Sequence, residues 1–192
     1  MRCFRIAIVS MLVVAPLFGR GAKPQQNELP LVAPRPAGPR SGFRAELLAD
    51  LDGIQKKYLD LADAIPARKY SWRPSEGVRS ISEVYMHVAG SNYLLATFVG
   101  VKPPADIPKD FERITAKQRV IAELQRSFEH LRGVILATGD ADLDKPVRLY
   151  GEPASERQVL MTIENHLHEH LGQSIAYARM NGIVPPWSRK ES

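Results

Sequence analysis

The sequence predicts an all-α protein built as a four-helix bundle, and three observations carry that prediction. Apolar residues recur at spacings of three and four through four separate segments. Three of those segments open with Ser or Thr followed three residues later by Glu or Gln, the pairing that caps a helix start. No stretch shows the sustained alternation of β-branched residues that would build a sheet.

In the first helix Leu47, Leu51, Ile54, Tyr58, Leu61 and Ile65 form the buried stripe, and Pro66 ends it. The second opens at Ser80-Ile81-Ser82-Glu83, where hydroxyl and carboxylate can each satisfy the other residue's free amide. Ile81, Val84, Val88 and Leu95 mark its buried face, and Gly100 stops it. Thr115-Ala116-Lys117-Gln118 is expected to cap the third helix in the same way, ahead of Ile121, Leu124, Phe128, Leu131 and Ile135. Ser155-Glu156-Arg157-Gln158 caps the fourth, which runs to about Asn181 before Gly182 and Pro185-Pro186. The long connections from Val101 to Ile114 and from Gly139 to Ala154 are expected to cover one end of the bundle, with room for short strands around Val147 to Tyr150. Trp72 and Trp187 read as covers for the bundle ends.

At 192 residues the chain fits one domain with a proper core. Residues 1–22 have the layout of a secretory signal: Arg2 and Arg5, an apolar run from Ile6 to Phe18, then Gly19-Arg20-Gly21-Ala22. That run is shorter than the ~20 apolar residues a membrane span needs, and Pro16 interrupts it, so export and cleavage into a periplasmic or secreted form is the expectation, with no stable membrane span. Residues 23–41, with five prolines, read as a linker, 42–186 as the bundle and 187–192 as a tail. Cys3 is the only cysteine, so the mature domain would have neither a disulfide nor a cysteine nucleophile. The formal charge of +5 includes Arg2, Arg5 and Arg20, and no basic stripe is interleaved with aromatics, which sets nucleic acid aside.

Of the five histidines, His166 and His170 lie four residues apart on the fourth helix, about 40° apart around its axis, so both imidazoles can reach one ion. Ile163, His166, His170, Gln173 and Tyr177 form a stripe beside the apolar one of Leu160, Leu167, Leu171 and Ala178, which turns the two histidines inward. His168 points away toward solvent, and His130 reads as a boundary residue on the third helix. His87, beside Val88 and one turn after Glu83, is the natural third ligand. By themselves these residues leave two readings open, a metal site or ordinary interior imidazoles. The HExxH protease pattern is absent, since Gly172 stands three positions after Glu169.

Trp72-Arg73-Pro74, Ser80-Ile81-Ser82-Glu83 leading to His87, His166-Leu167-His168-Glu169-His170-Leu171-Gly172-Gln173 and Met180-Asn181-Gly182-Ile183-Val184-Pro185-Pro186 together resemble the DinB/YfiT-like superfamily of metal-binding four-helix proteins. The resemblance covers roughly residues 43–186 and implies metal ligation by His87, His166 and His170. The family often has His-His-Arg-Gly-Gln where this chain has Glu169-His170-Leu171-Gly172-Gln173. Three neutral imidazoles would leave a divalent cation, with Zn, Ni or Fe foremost, at least one open position. An acidified water or thiol could then act as nucleophile, with Glu83, Gln173 and Tyr177 as candidates to orient an imidazole or the reacting group. Relatives include thiol-dependent S-transferases, so the resemblance implies a metal-dependent transferase or hydrolase acting on a small molecule or thiol. The alternative is a non-catalytic exported metal- or ligand-binding module. Dimerisation through a helix face is a further expectation, with no interface located.

Overall fold

The computed structural model describes residues 38–108 and 110–189. The segment read as an export signal, and most of the linker, lie outside them. Four helices dominate: α1 (Phe43–Ala64), α2 (Ile81–Thr97), α3 (Lys117–Ala137) and α4 (Glu156–Met180). Among the described residues no helix is long and apolar enough to cross a membrane.

Each helix exists because its apolar stripe has a partner. Leu47, Leu51, Ile54, Tyr58, Leu61 and Ile65 are all buried on α1, as their spacing predicts. Two helix starts form the reciprocal cap: the Glu83 and Gln158 amides donate to the Ser80 and Ser155 hydroxyls, and the Ser80 and Ser155 amides donate back to the Glu83 and Gln158 side chains.

The third expected cap does not form. The N-cap position of α3 falls on Ala116, whose methyl accepts nothing, and Thr115 lies one residue too early to reach the helix amides. Burial sets that register: Val120, Leu124, Phe128, Leu131 and Ile135 face the core, Ile121 is only partly covered, and Ile114 anchors the approach. Lys117 turns to α1 instead, donating to the Asp63 carbonyl at 2.5 Å and pairing with its carboxylate.

Helix α1 packs on α3 and α4, and α2 packs on the same two, so α1 and α2 stand at opposite corners. The connection between them crosses one end of the bundle. There Tyr70 is buried, its hydroxyl donating to the Ala62 carbonyl at 2.7 Å, and Trp72 lies edge-on to Tyr177 with ring centroids 5.4 Å apart. Trp187 sits instead in a shallow cleft along α1, beside Gly53, Lys56 and Lys57.

Before α4 the chain makes an antiparallel hairpin, β1 (Pro146–Leu149) and β2 (Glu152–Ser155), pairing Val147 with Ala154 and Leu149 with Glu152. Its two-residue turn, Tyr150-Gly151, has φ of 51° and 92°, the primed geometry whose twist matches the strands. In the connection from α2 to α3, Phe111 is buried against Tyr93, with centroids 6.0 Å apart, and packs over Gly90. This pins the short 3₁₀ turn Phe111–Arg113 to α2.

Candidate metal centre

Because α2 and α4 are neighbours in the bundle, His87 faces His166 and His170. The three rings meet edge to face, with centroids 5.1 Å apart for His87 and His166, 4.7 Å for His87 and His170, and 4.5 Å for His166 and His170. One ring nitrogen from each lies within 4.8 Å of the other two. The Nε2 atoms of His87 and His166 are 3.2 Å apart. Two nitrogens bound at about 2.0–2.1 Å to one tetrahedral ion would be separated by about 3.3 Å, so this pair suits a shared cation. Without one, only one of the two nitrogens can donate to the other. The donor set and its spacing therefore fit a divalent ion.

Gln173 positions one of the rings. Its Oε1 accepts from His170 Nδ1 at 2.7 Å, which leaves Nε2 of the neutral imidazole as the nitrogen with the lone pair. Gln173 Nε2 in turn donates to the Tyr177 hydroxyl at 3.1 Å, and Tyr177 is buried against Trp72. Removal of such a partner costs about 10–100-fold in metal affinity. Gln173→Ala should weaken binding by that order in a chelator-competition titration, and Tyr177→Phe by less, since it removes only the hydroxyl behind the glutamine. A Gln173→Ala protein that binds as tightly as the parent would remove the glutamine from the site.

Glu83, a candidate on the same grounds, is engaged elsewhere. It accepts from the Ser80 amide at 2.7 Å and from Arg73 at 3.0 Å; the Ser80 bond first, and Arg73 with it, hold its carboxyl below the usual range. It orients none of the three histidines. His130 lies outside the cluster, stacked edge-on to Tyr93 at 5.2 Å. His168 points away from the other two α4 histidines as expected, but it has a partner: its Nε2 is 2.9 Å from Asp50 Oδ2 on α1. The sequence distance of 118 residues hid that pair.

Burial, then His170, His87 and Arg79, push His166 down to about 4, and burial and Arg79 lower His87. The metal-free fold thus keeps these rings neutral, whereas an unfolded chain protonates them near pH 6.5 or so. Between those values the unfolded state binds more protons, so stability rises with pH and is lost as pH falls from about 6.5 toward 4. Thermal melts of chelated protein should show this slope, and His166→Gln should flatten it; identical slopes would show that the ring does not govern it.

An open cluster of three imidazoles drawn from two neighbouring helices places the protein among helical bundles with a candidate metal centre. The DinB superfamily model matches residues 50–174, and the chain belongs to that superfamily. Among solved structures it is similar to a DinB-like protein from Bacillus cereus ATCC 10987, with 19% identity and a TM-score of 0.65 over 73% of this chain and 93% of that one. It is also similar to a DinB-like protein from Bacillus subtilis, with 18% identity and a TM-score of 0.60 over 77% and 99%. At such identities the likeness carries the fold. None of the curated proteins compared matches the chain.

Proposed function

We propose that the protein is a metal-dependent enzyme of the thiol S-transferase or hydrolase type, holding one divalent ion, Zn, Ni or Fe, on His87, His166 and His170. The observation that carries this reading is the convergence of three imidazoles with no fourth His, Cys, Asp or Glu in the cluster among the described residues. Three neutral ligands are the pattern of catalytic centres that keep a position for a small molecule. A bound ion would supply Lewis acidity, lowering the pKa of a water or thiol beside it.

The protein's own residues do the rest. Gln173 sets the His170 tautomer, and Tyr177 holds Gln173. A cleft beside His87 is lined by Arg79, Glu83, Glu112 and Arg113. With Glu83 bonded to Ser80 and Arg73, Glu112 is the cleft carboxylate left to take a proton from the nucleophile.

Elemental analysis by plasma mass spectrometry, on protein purified without a histidine tag, tests the centre. Near-stoichiometric metal in the parent and none in the His166→Ala/His170→Ala variant is expected; no metal in either after reconstitution would overturn the reading. The catalytic part fails if the loaded protein consumes no thiol–acceptor pair and hydrolyses no ester or amide in a broad panel.

Residues 1–22 are proposed, on their composition alone, to direct export, with cleavage after Gly21 or Ala22. N-terminal sequencing of the protein recovered outside the cytoplasm checks this, and an intact Met1 there would refute it.

A further inference from the structure

The cleft beside His87 is built from two loops anchored to the bundle. One is the approach to α2, where Arg79 immediately precedes the Ser80 cap. The other is the 3₁₀ turn Phe111–Arg113, where buried Phe111 and Ile114 bracket exposed Glu112 and Arg113. His87 lies between these loops, and the field of Arg79 reaches both His87 and His166.

The charges in the cleft do not cancel. Glu83 is matched by Arg73 at 3.0 Å. Arg44, Arg126 and Arg157 are likewise each held by a carboxylate elsewhere on the surface. Arg79 and Arg113 have no hydrogen bond or ion pair from their side chains among the described residues. Set against Glu112, they leave an excess of one positive charge in the cleft before any ion is counted. A guanidinium presents a planar fork of donors that matches a carboxylate in two parallel hydrogen bonds. The cleft volume is about 240 Å³, below the roughly 300–1,000 Å³ of pockets that take drug-sized ligands.

We propose that the substrate of this centre is a small molecule bearing a single carboxylate, gripped by Arg79 and Arg113 while its reacting group faces His87. The inference rests on the metal-dependent reading above and names its substrate class. The two guanidiniums supply partners for one carboxylate, and the small volume admits little beyond that carboxylate and a short chain.

The test uses cobalt(II)-loaded protein and three thiols of similar size: mercaptopropionate, neutral mercaptopropanol and cationic cysteamine. Thiolate binding to the ion is read from the sulfur-to-cobalt charge-transfer band, and cobalt content is measured separately. Mercaptopropionate is expected to bind roughly tenfold more tightly than mercaptopropanol, with cysteamine weakest. The Arg79→Gln/Arg113→Gln variant should retain its cobalt and its helical spectrum yet bind the first two thiols equally. With cobalt bound, three outcomes overturn the carboxylate inference alone: equal binding of the two thiols by the parent, binding of neither, or a preference that survives in the double arginine variant. Failure of the parent to take up cobalt overturns the metal reading, and the substrate inference with it.

Discussion

Saturation with the ion it binds is expected to raise the melting temperature of the protein by about 10 °C and to leave the His166→Ala/His170→Ala variant where it was. The three ligands are assembled only in the folded chain, since His87 and His166 are 79 residues apart in sequence. Binding to the native state alone stabilises it by about 4 kcal/mol at a free-ion concentration near 1,000 times Kd. In a domain of this size each kcal/mol moves the melting temperature by roughly 2–4 °C. Calorimetric scans of parent and variant, each in chelator and in excess ion, check the claim. An equal rise in both proteins would mean that the ion acts somewhere other than the triad, and no rise in either would remove the site.

Phe128→Ala should cost the metal-free protein about 3–5 kcal/mol, the range for truncating a fully buried phenylalanine. Phe128 on α3 is wholly buried, with its ring 5.5 Å from that of Tyr58 on α1. Tyr58 in turn donates through its hydroxyl to the Leu167 carbonyl on α4 at 2.7 Å, one residue from His166. Truncation at position 128 therefore opens a cavity where three helices meet. Denaturant titration should show a lower midpoint with an unchanged slope. Added ion should restore much of the loss, because it binds the native state of the variant by the same three residues. A loss below about 1 kcal/mol would show that the core collapses around the gap, against the packing described here.

How far the sequence reached depends on which forces decide each feature. The reciprocal caps at Ser80 and Ser155 were legible because both partners lie within four residues of each other. The cap expected at Thr115 failed although its local chemistry was equally good: burial of Val120 and Leu124 moved the helix start by one residue, and packing outweighs one capping bond. His166 and His170 share a face by helical geometry alone, and His87 was placed with them by a resemblance of motifs. The engagement of Glu83 by Arg73 was not legible, since that bond depends on the conformation of the loop between them.

By itself, then, the sequence determined features governed by spacing along one helix: the four apolar stripes, two caps, and the paired histidines of α4. Tertiary structure alone decided what depends on how separate segments are arranged. It put α2 beside α4 and α1 diagonally opposite α2, which sets how closely His87 approaches the α4 pair. It also brought Arg79 and Arg113, from loops 34 positions apart, to one cleft. The physical reason is that periodicity records which face of a helix is buried but not which helix buries it, and exposed loop arginines carry no periodic signal.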